Sequence, residues 1–241
     1  MSKHDFYLNL TDKKGRESLF RDITNMKDFL SVKLTLLELL ISQWNGLYDK
    51  RNCSFPYLHI DDYLLHRAFI VSNNKIISFG FGLTIQQDGN HIAAFRMHRK
   101  KITTKHISEA QAILGLLTED NLYKEIEDDD LEQTPSKEGK MLFEFLLFEE
   151  SGYIRYDYDK QTKDEINHPR HHLDISFTPK YSHKLGLGRG IDEVEFRGIL
   201  NKKDFCRKLN LNCISRRFGK GNFRKNNLKN KKKQNVKSNI R

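Results

Sequence analysis

The residues best equipped for chemistry lie between Tyr153 and His172. The run Tyr153-Ile-Arg-Tyr-Asp-Tyr-Asp159 is followed, after a short loop, by His168-Pro-Arg-His-His-Leu173. Alternate residues of a strand share a face. Tyr153, Arg155, Asp157 and Asp159 therefore point one way, and Ile154, Tyr156 and Tyr158 the other. In the next strand His172 shares a face with Asp174 and Ser176. If the two strands pair, one sheet face gathers Arg155, Asp157, His172 and Asp174, with His168 and Arg170 at its rim.

Two chemistries are open to such a set. A histidine and a carboxylate can act as acid and base on a ribose 2′-hydroxyl and the leaving oxygen, with Arg155 stabilising the charged phosphorane. Alternatively, Asp157, Asp159, His168 and His172 can hold a divalent metal that activates water. Asp and His both ligate Mn²⁺ or Zn²⁺, although the spacing matches no strong metal motif. A purely structural reading competes with both. Alternating Tyr and charge describes an ordinary half-exposed strand, and Arg–Asp pairs across strands stabilise sheets.

The elements that must position these residues follow from apolar period and turn chemistry. Leu19, Ile23, Met26, Leu30, Leu37, Leu40, Trp44 and Leu47 recur at helical steps, which predicts one long helix or two in succession ending near Gly46. Asp28 or Ser31 can cap the second. Ile76 to Ile85 reads as a strand, Asp88-Gly89 as a hairpin turn and His91 to His98 as the return strand. Gly80 and Gly82 suggest a bulge or a close backbone approach. A helix with Ser108 and Gln111 as its capping box should follow. Met141–Phe148, Tyr153–Asp159, His171–Phe177 and Val194–Ile199 read as strands, and Asn201 caps a closing helix that carries Phe205 and Leu209. The expected fold is α+β: a mixed, mainly antiparallel sheet with N-terminal helices and a closing helix on one face.

Charge divides the chain. From Ser215 to Arg241 there are eleven Lys/Arg and no acid, which leaves 31 bases against 32 acids in residues 1–214. The expected organisation is one α+β domain over 1–213, with an acidic exposed loop near 125–139, and a disordered basic tail over 214–241. Arg216, Arg217, Lys220, Arg224, Lys225, Lys231, Lys232 and Lys233 are the candidate nucleic-acid contacts, with Phe218 and Phe223 among them for stacking. Three cysteines without a CxxC pair give neither a disulfide framework nor a four-ligand zinc site. The absence of an apolar leader and of any uninterrupted apolar span predicts a cytoplasmic protein with no membrane partner.

The segments Tyr153 to Asp159 and His168 to Leu173, with the following Phe196-Arg-Gly-Ile-Leu200, resemble a bacterial family of unknown function that shares an Arg-Tyr-Asp…His-Pro-x-x-His-Leu core. They are more distantly similar to small toxins of type II toxin–antitoxin systems, in which the His pair stands closer to the Arg-Tyr-Asp strand. The resemblance covers Phe143 to Leu209 and implies a toxin-like or defence-associated (ribo)nuclease, with Arg155, Asp157, His168 and His172 as matching positions. A further reading makes the chain one half of an operon-encoded pair, with the acidic loop or the long N-terminal helix as the docking surface for its protein partner. RNA is the expected substrate, since a 2′-hydroxyl allows cleavage without a metal. A non-catalytic nucleic-acid-binding or scaffold component is the alternative.

Overall fold

The computed structural model describes residues 5–43, 53–88, 91–118, 122, 136–150, 152–161, 168–178 and 181–201. Ten strands and five helices follow one another as β1 (Asp5–Asn9), α1 (Lys13–Leu19), α2 (Met26–Gln43), β2 (Tyr57–Asp61), β3 (Arg67–Val71), β4 (Lys75–Gly80), β5 (Thr84–Asp88), β6 (His91–Met97), β7 (Lys100–Lys101), α3 (Thr104–Leu116), α4 (Lys137–Phe148), β8 (Tyr153–Tyr158), β9 (His171–Thr178), β10 (Tyr181–Gly186) and α5 (Glu193–Leu200). The chain is α+β, and every pairing among the described strands is antiparallel.

A seven-stranded sheet runs β1-β2-β3-β4-β8-β9-β10, and a three-stranded sheet runs β5-β6-β7. The large sheet separates two apolar clusters by strand alternation. Leu58, Ile60, Ala68, Ile70, Ile77, Phe79 and Tyr153 face α2 and α4. Tyr57, Phe69, Val71, Ile76, Tyr156 and Leu173 face the opposite way and pack with Phe196 of α5. The helix-side cluster takes no residue from β9 or β10. The helical layer therefore stops at Tyr153, and the sheet face beyond it carries polar side chains. Among the described residues no helix is long and apolar enough to cross a membrane.

The expected single strand from Ile76 to Ile85 divides into β4 and β5, which belong to different sheets. Gly82 lies at the junction, where a Cβ would stand 2.5 Å from Glu149 Oε1 and 2.9 Å from the Phe145 ring. Glu149 accepts the Gly82 backbone N–H. Close approach of α4 thus requires glycine here.

Two segments expected as strands are helices. Met141–Phe148 belongs to α4, capped by Ser136, and buries Leu142, Phe143, Leu146 and Leu147 on one face. Glu144 alone interrupts the apolar residues of this run, which leaves its period ambiguous, so its length and its cap decide. Val194–Ile199 lies in α5, where the Asp192 side chain accepts the Glu195 N–H. The end of the expected acidic loop, 136–139, is the first turn of α4. Helix α3 is boxed by Thr103 and His106, not by Ser108 and Gln111. Ser108 instead donates to the Thr104 carbonyl. At the start of α2 the Asp28 N–H is capped by the Asn25 side chain, and Asp28 itself accepts from Thr24 and Arg21. Trp44, Leu47, Phe205, Leu209, the helix expected after Asn201 and the basic tail lie outside the described residues.

Candidate functional site

Strand β8 lies between β4 and β9, and its register sets the site. Lys75 pairs with Asp157, and Asp157 with His172; Ile77 pairs with Arg155, and Arg155 with Asp174. Asp174 in turn pairs with Lys184 on β10. Arg155, Asp157, His172, Asp174 and Lys184 therefore stand together on one sheet face, beyond the helix-side apolar cluster, with His172 and Asp174 buried. Gly152 allows this register, because a Cβ there would drive into the Ser176 and Phe177 carbonyl oxygens of β9.

Arg155 is the centre of the cluster. Its Nε lies 2.6 Å from Asp157 Oδ2, and its Nη2 donates to Asp174 Oδ2 at 2.6 Å. Nε lacks hydrogen-bond alignment with any acceptor, so its contact with Asp157 is Coulombic. Lys184 Nζ reaches Asp174 Oδ1 at 2.9 Å, and Lys75 Nζ stands 3.8 Å from Asp157 Oδ1. Burial alone would raise the Asp174 carboxyl, but the Lys184 hydrogen bond and the Arg155 charge outweigh it and hold it below its ordinary value. Burial would lower Arg155, and Asp157 and Asp174 reverse that and raise it. Both carboxylates are thus ion-paired.

His172 is 1% exposed. Its Nδ1 lies 2.7 Å from the Pro169 carbonyl, which accepts only a hydrogen and so fixes the proton on Nδ1. Nε2 faces Asp157 at 3.7 Å and Asp174 at 3.9 Å. Burial lowers the pKa of the ring, against the Pro169 hydrogen bond and the two carboxylate charges, which raise it. His168 and Asp159 form a separate, accessible pair at the rim. Their side chains are 45% and 38% exposed and lie 3.4 Å apart. The His168 ring meets His172 edge-on at 4.6 Å. The Asp159 N–H donates to the Arg170 carbonyl at 2.8 Å, which closes the rim.

The four expected metal ligands do not form one set. Asp157, His172 and Asp174 bring donor atoms within 4.8 Å of one another, while Asp159 and His168 pair at the rim. The space between the Asp157 and Asp174 carboxylates is taken by the Arg155 guanidinium, so a dication there would have to displace a fixed positive charge. The arrangement suits an anion approaching from the Lys184 and His168 side better than a cation between the aspartates.

Sequence reasoning missed Lys75 and Lys184. Their strands set the register, and β10 showed no apolar alternation to announce it. It also missed a second ionic network, on the opposite face beneath α5. His59 is fully buried, with Nδ1 2.5 Å from Glu193 and Nε2 3.1 Å from Asp5. Tyr57 donates to Glu193 at 2.7 Å, and Arg197 donates to Asp61 at 2.5 Å. This network ties α5 to β1 and β2. A third group centres on Lys33, whose ammonium donates to the Leu146 and Glu150 carbonyls at 3.0 and 2.8 Å and so closes the C-terminal end of α4.

No protein-family model, curated protein or solved structure matches the chain.

Proposed function

We propose that the chain acts on nucleic acid, RNA in preference to DNA, and cleaves a phosphodiester at the His168–Asp159 rim of the β8–β9 cluster. Residues 215–241 supply most of the affinity through phosphate contacts. The observation that carries this reading is the exposed His168–Asp159 pair set against a buried, charge-paired base. Ionic networks of that kind contribute little to stability compared with apolar packing, and perturbed groups gather at functional sites.

In this reading His168 takes the proton of a ribose 2′-hydroxyl while that oxygen bonds to phosphorus. The phosphorus–5′-oxygen bond breaks, and the departing oxygen takes a proton from water. Asp159 stabilises the imidazolium, and Lys184 opposes the charge that builds on the phosphorane. His172 and Arg155 act as positioning residues: they set the end of β9 and hold the carboxylates in place. Cleavage of a labelled single-stranded RNA should leave a 2′,3′-cyclic phosphate and a 5′-hydroxyl, and analysis of the product ends tests this directly. Products ending in a 5′-phosphate would contradict it.

A non-catalytic reading is favoured by one observation, the 1% exposure of His172 within a set of carboxylates already ion-paired. It takes the network as structural and the protein as a nucleic-acid-binding component of a larger system, a bacterial toxin-like or defence system with a protein partner. It predicts RNA binding that is lost on deletion of residues 215–241, with no cleavage product.

A further inference from the structure

We infer that the depression at the β3–β4 turn is a subsite for one unstacked nucleobase of a single-stranded nucleic acid, a role that rests on the reading of the chain as one acting on nucleic acid. The depression has a volume of about 400 Å³ and is lined by Phe55, Pro56, Ser72, Asn73, Asn74 and Lys75, together with Phe20. Pockets that hold small ligands begin at about this size.

Three features fit a base. Phe55 is 52% exposed although it is a large aromatic, and one of its ring faces is held against Tyr57 at 5.2 Å and 23°. A fixed ring with exposed surface is a stacking platform, and single-stranded recognition relies on such platforms. Asn73 and Asn74 place two side-chain amides at the wall; the Asn74 oxygen accepts from the Ser72 hydroxyl at 3.2 Å, which leaves its NH₂ group to donate to a base edge. Lys75 adds a cation at the side nearest the polar cluster, where its Nζ stands 3.8 Å from Asp157.

Position joins the depression to the rim. Lys75, Asp157 and His172 form one transverse row across β4, β8 and β9. At about 4.8 Å per strand, the wall is roughly 10 Å from the backbone of His172. The Asn74 carbonyl accepts the Tyr158 N–H at 2.7 Å, one residue before Asp159. Phe55 precedes β2, four strands from β9 and so about 19 Å away at 4.8 Å per strand, so a strand whose phosphate lies at His168–Asp159 can place a base a few nucleotides along against Phe55. A base-sized aromatic platform beside a basic residue and a phosphate-binding rim is the juxtaposition that a single-stranded substrate needs.

The test uses the full-length chain carrying His168→Ala, so that the probe stays intact, with a short fluorescent single-stranded RNA of mixed sequence. Adding Phe55→Ala should weaken binding about tenfold, the loss of one stacked base on top of the affinity that the tail supplies. The slope of affinity against salt should stay unchanged, because stacking releases no counterions. Phe55→Tyr should restore the affinity, and ultraviolet cross-linking should map to the peptide that contains Phe55. If Phe55→Ala binds within about twofold of its parent and no cross-link maps there, the subsite is wrong while nucleic-acid binding stands. If the parent chain binds no RNA, both readings fall.

Discussion

Asp157 and His172 are Cα partners across β8 and β9, and the imidazole Nε2 lies 3.7 Å from the carboxylate while Nδ1 is held by the Pro169 carbonyl. A hydrogen is thereby fixed on Nδ1 in a nearly closed space. The lowered pKa of the ring has a consequence for stability. The folded state resists protonation that the unfolded chain accepts near pH 6.5. The stabilisation is present above pH 6.5 and is lost as the pH falls from there through the lower folded-state pKa. Chemical denaturation between pH 7.5 and 5 should show this decline, and His172→Gln should flatten it at a cost of about 1–3 kcal/mol at neutral pH.

Lys33 predicts the opposite end of the titration. Its side chain is 2% exposed, and burial lowers its pKa to about 8. Between pH 8 and about 9.5 the unfolded chain holds this proton and the folded chain releases it, so stability should rise with pH over that window. Lys33→Met should remove the rise. It should also cost about 2 kcal/mol at pH 7, because the Leu146 and Glu150 carbonyls lose their donor. Denaturant midpoints for both chains across the window would check this.

Glu193 joins α5 to the sheet through His59 and Tyr57. Glu193→Ala leaves a buried imidazole and a buried phenol without their acceptor and should cost about 3 kcal/mol. Increased amide exchange of α5 ahead of β8 and β9 would show that the loss is local to that face. Equal loosening of both regions would argue that the network supports the whole sheet.

Gly152 predicts a coupling between backbone and site. Gly152→Ala should cost roughly 2–3 kcal/mol, because the new methyl meets backbone oxygens of β9 that cannot swing away. The β8–β9 register should be disturbed before the helix-side core, and thermal denaturation combined with amide exchange at Arg155 and Asp157 would detect it.

Most of what positions the cluster was legible from period alone. The alternation in Tyr153–Asp159 and His171–Phe177 is strict, and turning the first strand over would bury Arg155 and Asp157, or the second His172 and Asp174, against α5, so the paired face follows from the residues. The hairpin at Asp88-Gly89 was legible for the same reason. Met141–Phe148 was not, because an apolar run interrupted only at Glu144 fits a buried strand as well as a helix, and only the Ser136 cap separates them. Val194–Ile199 was misread although Asp192 and Glu195 carry a helix-start signal. The second ionic network was invisible, since Asp5, His59 and Glu193 are far apart in sequence and meet only through sheet order.

If His168 handles a proton at a bound phosphodiester, its imidazole is what turnover depends on. Cleavage of labelled single-stranded RNA by the wild-type chain and by His168→Ala, each with and without EDTA, measures that dependence. Cleavage by the wild type should be indifferent to EDTA and fall at least about a hundredfold in His168→Ala. Equal cleavage by both chains, or binding without product under every metal condition, would contradict it.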